Sequence, residues 1–249
     1  MNINAPTRES YPLLKSLWHQ AFGDPMVFID EFFETGFSPD RCRCLTVDGQ
    51  VAAALYWFDA EKDGEKFAYL YAVATEKAHR GQGLCRRLML ETHSHLEKTG
   101  YTGAVLVPAE DFLWDYYGTM GYRPFGKIRK FSAQAGTPMP LQEIPLSEYL
   151  RLRKAWLPPH SLNEAAAIAF YGTWGKFYRG DACLFAAATD EDILYVQELL
   201  GDATKAPGIV AAFGCKQGNF RTTDGSSPCA MYLMFADAGI PGYLGFPLD

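Results

Sequence analysis

The sequence predicts a mixed α/β protein in two halves. Three observations carry this. Apolar residues change repeatedly between helical spacing and short continuous runs. An Asp48-Gly49 pair joins two apolar runs as a tight hairpin does. A stretch holding Gly136, Pro138, Pro140 and Pro145 separates two series of elements.

Residues 11–36 read as one or two amphipathic helices. Leu13, Leu14, Leu17, Trp18 and Phe22 repeat at helical spacing, as do Phe28, Ile29, Phe32 and Phe33, with Asp24-Pro25 between the runs. Strands are predicted at 42–47 and 51–58. A charged turn over 59–65 leads into an apolar strand at 67–75. A glycine-bearing loop precedes a helix at 83–98, whose buried face is marked by Leu84, Leu88 and Leu96 and whose stop is Gly100. A buried strand follows at 104–107, then an aromatic-rich helix at 111–120 closed by Gly121, and a strand at 122–133.

The stretch 134–145 reads as a linker, giving domains 1–135 and 136–249. The second half opens with helices at 146–156 and 163–177. Strands are predicted at 182–188 and 193–200, a helix at 207–215, and strands at 219–223, 229–236 and 243–246. The shared order of helices, hairpin, strand, helix and strand suggests an internal repeat. Leu70-Tyr71 corresponds to Leu194-Tyr195. Arg80-x-x-Gly83-x-Cys85 lines up, with one gap, against Lys205-x-x-Gly208-x-Val210.

The chain of 249 residues is long enough to bury a core without staples. Its 23 Lys and Arg against 29 Asp and Glu give a net charge of −6, which argues against non-specific nucleic-acid binding and suits a cationic substrate. No apolar run spans a bilayer, and residues 1–9 lack the apolar core of a signal peptide. Six scattered cysteines without CxxC spacing point to reduced thiols, a cytoplasmic location and no metal site.

Chemistry concentrates after the strand at 67–75. There Arg80-Gly81-Gln82-Gly83 opens a helix. A helix N-terminus has unpaired N–H groups and a positive dipole end, and glycines let the backbone approach an anion. The product is a pyrophosphate cradle. It is neither a Walker A loop nor a GxGxxG fingerprint.

This stretch resembles motif A of the GCN5-related N-acetyltransferases (GNAT), whose pattern is Arg/Gln-x-x-Gly-x-Gly/Ala. Arg80, Gly81, Gln82, Gly83, Leu84 and Cys85 fill it, with cysteine as the small last residue. Val73, Ala74 and Thr75 resemble the family's central strand, whose backbone pairs with the pantetheine arm. Tyr116-Tyr117-Gly118-Thr119-Met120-Gly121-Tyr122 resembles its aromatic-Tyr-x-x-x-Gly-Phe/Tyr segment. The resemblance covers residues 1–135 in element order and implies a GNAT-like fold, a mixed, mostly antiparallel sheet flanked by helices. It implies acetyl-CoA as cosubstrate, with no metal, and acetyl transfer to a primary amine by direct attack on the thioester. A backbone N–H near 73–75 would stabilise the oxyanion. Tyr117, protonated at neutral pH, would donate to the departing thiolate. The acceptor implied is a small cationic molecule, with a protein amine as the alternative. The general base stays open among Glu31, Glu34, Glu76, Glu110, Asp111 and a water chain. The second half lacks the arginine and first glycine of the cradle and reads as a smaller, degenerate GNAT-like domain.

Two rivals stand beside this reading: a catalytically silent acyl-CoA sensor, and an interaction scaffold that binds no coenzyme A. Several residues also have plain structural readings. Arg80–Cys85 alone reads equally as an ordinary strand-to-helix turn. Tyr117 could be a packed aromatic, and Arg86 and Arg87 a solvated helix face. His93 and His95, two apart on a helix, make a poor metal pair. Trp18, Phe22, Phe32 and Phe33 read as core, in a region where the family lines its acceptor site. The carboxylates of Asp249 are a remote candidate for a role near the amine.

Overall fold

The structure, a computed structural model, describes residues 1–237 and 239–248; the Asp249 carboxylates lie outside the described residues. The chain forms two compact units. The first holds Met1–Arg123 with Met231–Ile240 and Leu248, the second Pro124–Ala230 with Pro241–Pro247.

In the first unit, β1 (Asn2–Asn4) precedes α1 (Tyr11–Phe22) and α2 (Met26–Thr35). Pro12 sits in the first turn of α1, where its missing N–H costs nothing, and Gly23 ends the helix at φ 77°. Then come β2 (Cys42–Val47), β3 (Gln50–Lys62), β4 (Glu65–Thr75), α3 (Leu84–Lys98), β5 (Gly103–Leu106) and α4 (Asp111–Gly118). The sheet order is β1-β2-β3-β4-β5, and residues 231–234 pair antiparallel with β5. Both tight hairpins have two successive positive φ values, Asp48 and Gly49 at 50° and 80°, Asp63 and Gly64 at 53° and 84°. The second hairpin lengthens β3 and β4 beyond the sequence reading. Its charges are accommodated because Lys62, though buried, pairs with Asp63 at 3.3 Å and Glu65 at 3.1 Å.

The two sheet faces carry different helices. Trp18 of α1 and Phe32 of α2, 4.8 Å apart ring to ring, pack on Tyr56 and Tyr71 at ring separations of 5.2 to 5.8 Å. On the opposite face, Leu84, Leu88, Met89 and Leu96 of α3 form one cluster with Leu55, Trp57, Leu70 and Leu106. Each fully buried side chain of this size contributes about 2 kcal/mol.

The second unit comprises β6 (Arg123–Gln134, its first residue in the other unit), β7 (Leu141–Ile144), α5 (Leu146–Trp156), α6 (Ala165–Tyr171), β8 (Lys176–Gly180), β9 (Cys183–Asp190), β10 (Ile193–Gly201), α7 (Ala206–Ala212) and β11 (Gln217–Met234, its last four residues in the first unit). Its strand order is β7-β8-β9-β10-β11, with β6 also on β11. Here the sequence reading is corrected at three places. The predicted linker contains β7, which pairs with β8. The helix predicted at 163–177 ends at Tyr171, since Gly172 and Gly175 close it and Lys176 begins β8. The strand predicted at 243–246 is a single bridge from Tyr243 to Ser161.

The second unit repeats the connectivity of the first. A short strand and two helices precede an antiparallel meander, and its last strand runs parallel to the strand after the next helix. Its α5 carries a buried ion cluster. Arg153 bridges Glu164 at 2.8 Å and Glu198 at 2.7 Å, and the Tyr149 hydroxyl donates to Glu198 at 2.7 Å. The Gly245 N–H donates to Glu164 at 2.7 Å. Burial holds the Glu164 carboxyl above its ordinary pKa.

Candidate active site

The site is built where β4 leaves its neighbour. β4 pairs in parallel with β5 only from Phe67 to Tyr69. On its other edge it stays paired with β3, Ala53 facing Thr75 and Ala54 facing Ala74, but Tyr71 faces Tyr56. Two residues, Ala72 and Val73, therefore oppose the single residue Leu55. This is a bulge, and Ala72 takes φ 48°. The extra residue inverts the side-chain alternation. Ala68 and Leu70 belong to the α3-side core, and after the bulge Val73 packs there too. Thr75 follows on the same face, beside Cys85 of α3.

The turn after β4 is rigid in its own right. Glu76 accepts from the Ala78 N–H at 2.9 Å and meets His79 Nδ1 at 2.8 Å, holding a short 3-10 turn. The His79 contact, then the Ala78 N–H, lowers the pKa of Glu76. This ties a general-base candidate into a structural cap. Arg80 Nε donates to the Thr75 carbonyl at 3.0 Å, and Gln82 Nε2 to the Ala78 carbonyl at 3.2 Å. Gly81 and Gly83 both take φ 74°, a region side chains disfavour, and a Cβ at either would meet nothing within 4 Å. Gly83 is the N-cap of α3, and no side chain caps that helix among the described residues. Its first N–H groups thus point into an open turn. Leu84 is buried in the core and offers only its backbone.

α4 brings the second motif to the same place. Tyr117 is buried, 5.5 Å ring to ring from Tyr116 and 5.8 Å from Tyr122. Gly121 at φ 93° lets the chain reverse, and the Tyr122 N–H donates to the Tyr117 carbonyl at 3.3 Å. Burial pushes the Tyr117 phenol pKa up, with Cys85 and Tyr116 adding to the effect, so the group keeps its proton at neutral pH. Burial likewise raises the Cys85 thiol, which makes it a small side chain at neutral pH rather than a thiolate.

Val73–Thr75, Arg80–Cys85 and Tyr117 thus converge on the mouth of the β4–β5 gap. The remaining base candidates do not enter these contacts; Glu34, Glu110 and Asp111 are exposed and Glu31 is half-buried. Arg86 Nη1 donates to Thr119 Oγ1 at 3.1 Å, which joins α3 to the end of α4. His93 is buried with Nε2 at 2.9 Å from the Tyr122 hydroxyl, and burial lowers its pKa to about 4. His95 meets Arg43. Among the described residues no cluster of three or more His, Cys, Asp or Glu could hold a metal ion. The sequence reading missed the bulge and the Thr75 side chain it delivers. Ala72-Val73-Ala74 gives no sign of a left-handed residue.

Comparison with known proteins fits this geometry. Residues 2–125 match the family model of the acetyltransferase (GNAT) domain. A GCN5-related N-acetyltransferase from Kribbella flavida superposes with TM-score 0.67 at 16% identity, over 94% of this chain and 70% of that one. A putative acetyltransferase from Pyrococcus horikoshii gives TM-score 0.67 at 12% identity, over 99% and 95%. A GCN5-related N-acetyltransferase from Sphaerobacter thermophilus gives 0.57 at 12% identity, over 98% of each. At such identities the likeness is one of fold. No curated protein matches the sequence. The matched domain makes the protein an acyltransferase. The likeness to the GCN5-related N-acetyltransferases thus rests on residues 2–125 for the domain and on the whole chain for the fold.

Proposed function

We propose that the first unit transfers an acetyl group from acetyl-CoA to a primary amine, which attacks the thioester directly. The observation that carries this reading is the β4–β5 gap meeting an open, left-handed glycine turn at the N-terminus of α3. The donor fits on further grounds. Thr75 Oγ1 is buried without a hydrogen-bond partner among the described residues, beside a strand edge free to pair. Acetyl-CoA supplies the activated acyl group. The N–H groups of 81–85 and the Arg80 turn hold its pyrophosphate, and the backbone of Val73, Ala74 and Thr75 aligns its arm. A backbone N–H of the bulged strand meets charge developing on the thioester oxygen. Tyr117 donates its proton, or a hydrogen bond, to the departing sulfur. Holding two reactants in line supplies much of the rate without a covalent enzyme intermediate.

The acceptor favoured by a chain of net charge −6 is a small cationic amine, with a protein amine next. A cytoplasmic setting is supported by the six scattered cysteines, which show no CxxC spacing. The second unit is read as a degenerate copy. Gly208 lies inside the seven-residue α7, packed against Thr137 and Met139 rather than facing an open turn. Asp202 caps the preceding turn through the Thr204 N–H, and β10 and β11 pair again beyond their irregularity, at Leu199 and Thr222.

Calorimetric titration of ligand-stripped protein with acetyl-CoA tests the reading. One-to-one micromolar binding, lost in Gly83→Glu, is expected, because a carboxylate would face the pyrophosphate. An amine screen with thiol-release detection follows. Undiminished affinity in Gly83→Glu removes the cofactor site.

A further inference from the structure

The opened stretch of β4 has two faces, and the acetyl-transfer reading fills only one of them. β4 leaves β5 after Tyr69, so the gap begins beside Leu70 and Tyr71. The α3 side of that gap holds the glycine turn and Tyr117. The opposite side is covered by α1 and α2, whose Trp18 lies 5.4 Å ring to ring from Tyr71. An amine meeting a thioester laid along residues 73–75 would come from this second face, because the cofactor cradle takes the first.

The turn that joins α1 to α2 has a mixed chemistry. Phe22 ends α1, Gly23 reverses the chain at φ 77°, and Pro25 precedes α2. Phe22, Pro25, Met26 and Val27 are all exposed. Apolar groups gathered at one corner mark a contact surface more often than groups scattered singly do. Among them stands one half-buried carboxylate, Asp24, and it is held in place. Trp18 Nε1 donates to Asp24 Oδ2 at 2.7 Å, and His19 Nδ1 lies 2.8 Å from the Asp24 carbonyl oxygen. Asp24 Oδ1 has no hydrogen-bond partner among the described residues. Burial, and then the Asp24 charge, raise the Tyr71 phenol pKa, which sets the carboxylate near the opened strand. Trp18 links the two, its indole nitrogen holding Asp24 while its ring rests on Tyr71.

We propose that Asp24 selects the acceptor, a small primary amine whose ammonium pairs with Oδ1 and whose apolar tail lies along Phe22, Pro25 and Met26. The assignment rests on the acetyl-transfer reading of the first unit and narrows its acceptor to an amine with a hydrocarbon or aryl tail. A carboxylate with one oxygen fixed by an indole N–H presents the other in a set direction, and a charge-assisted bond to an ammonium is among the stronger hydrogen bonds. The contact is made by the protonated amine and belongs to recognition, not to the transfer step. An amine borne on a sugar, polar all round, would leave the apolar corner uncovered.

The test is calorimetry on the full chain saturated with coenzyme A. Phenethylamine is the probe, and 2-phenylethanol is its uncharged counterpart. One-to-one binding of the amine is expected, tighter than that of the alcohol. Asp24→Asn, which still offers Trp18 an acceptor oxygen, should weaken the amine about tenfold and leave the alcohol and coenzyme A unaffected. Phe22→Ala, at an exposed position, should weaken amine and alcohol alike. Absence of amine binding to the loaded protein, or amine affinity unchanged in Asp24→Asn, would overturn the site. Methylamine binding as tightly as phenethylamine would overturn the tail. Tighter binding of a peptide with an N-terminal phenylalanine would overturn the small amine. Failure of coenzyme A itself to bind would instead remove the acetyl-transfer reading beneath the proposal.

Discussion

His93 makes the first unit's stability depend on pH, with a size the structure sets. Its imidazole is buried beneath α3, and its pKa falls from 6.5 to about 4 because burial penalises the charged form. The unfolded chain therefore binds a proton that the folded chain refuses between those values. Stability attributable to His93 is complete above about pH 6.5, declines as pH falls, and is lost by about pH 4. The slope approaches 1.4 kcal/mol per pH unit, about 3 kcal/mol in all. Carboxylates titrate over the same range, so the test is a difference. Urea midpoints are measured for the native protein and for His93→Gln, which stays neutral and can still reach the Tyr122 hydroxyl. The stability gap between them should shrink or reverse in favour of the variant as pH falls, by about 3 kcal/mol between pH 7 and pH 4. Parallel pH profiles would refute the argument.

Three further outcomes are expected. Tyr117→Phe should lower kcat about 10²–10⁴-fold with little change in the KM for acetyl-CoA, read under conditions where chemistry limits turnover; unchanged kcat would leave Tyr117 a packing residue. Gly245→Ala should destabilise the second unit severely, by more than about 3 kcal/mol, since its Cβ would lie 1.8 Å from Glu198 Oε1 and 2.3 Å from Arg153 Nη2; an unchanged melting temperature would contradict that packing. Arg153→Met should cost about 3–5 kcal/mol in denaturant unfolding by stranding two buried carboxylates, and adding Glu198→Leu should recover part of the loss.

Much of this was legible beforehand. Element order in the first unit follows from local signals: Asp48-Gly49, the spacing of Leu84, Leu88 and Leu96, and Gly100 and Gly121 as stops. The glycine turn and Tyr117 were named from a family resemblance, and Tyr117 shares a buried cluster with Leu84, against which Cys85 packs. What stayed hidden depends on long-range pairing. The Asp63-Gly64 hairpin sits among charges that resemble a loop until Lys62 finds its partners. β7 lies among prolines and glycines and is a strand only because β8 is beside it. The Arg153 cluster joins residues up to 96 positions apart, Tyr149 to Gly245, and no periodicity announces it. Glu76, one of the base candidates left open, has its oxygen engaged by its own turn.

The bulge at Ala72 also bears on how the sequence can vary. Kept at full length, the strand must bulge, because simple alternation would turn Val73 and Thr75 toward α1 and α2; losing one codon there would leave both on the α3 side while removing the left-handed kink. Shortening the Asp63-Gly64 tip would instead remove a partner of the buried Lys62. Lineages of this domain that keep the full length between Tyr71 and Arg80 should therefore keep the bulge, even where the residues themselves drift.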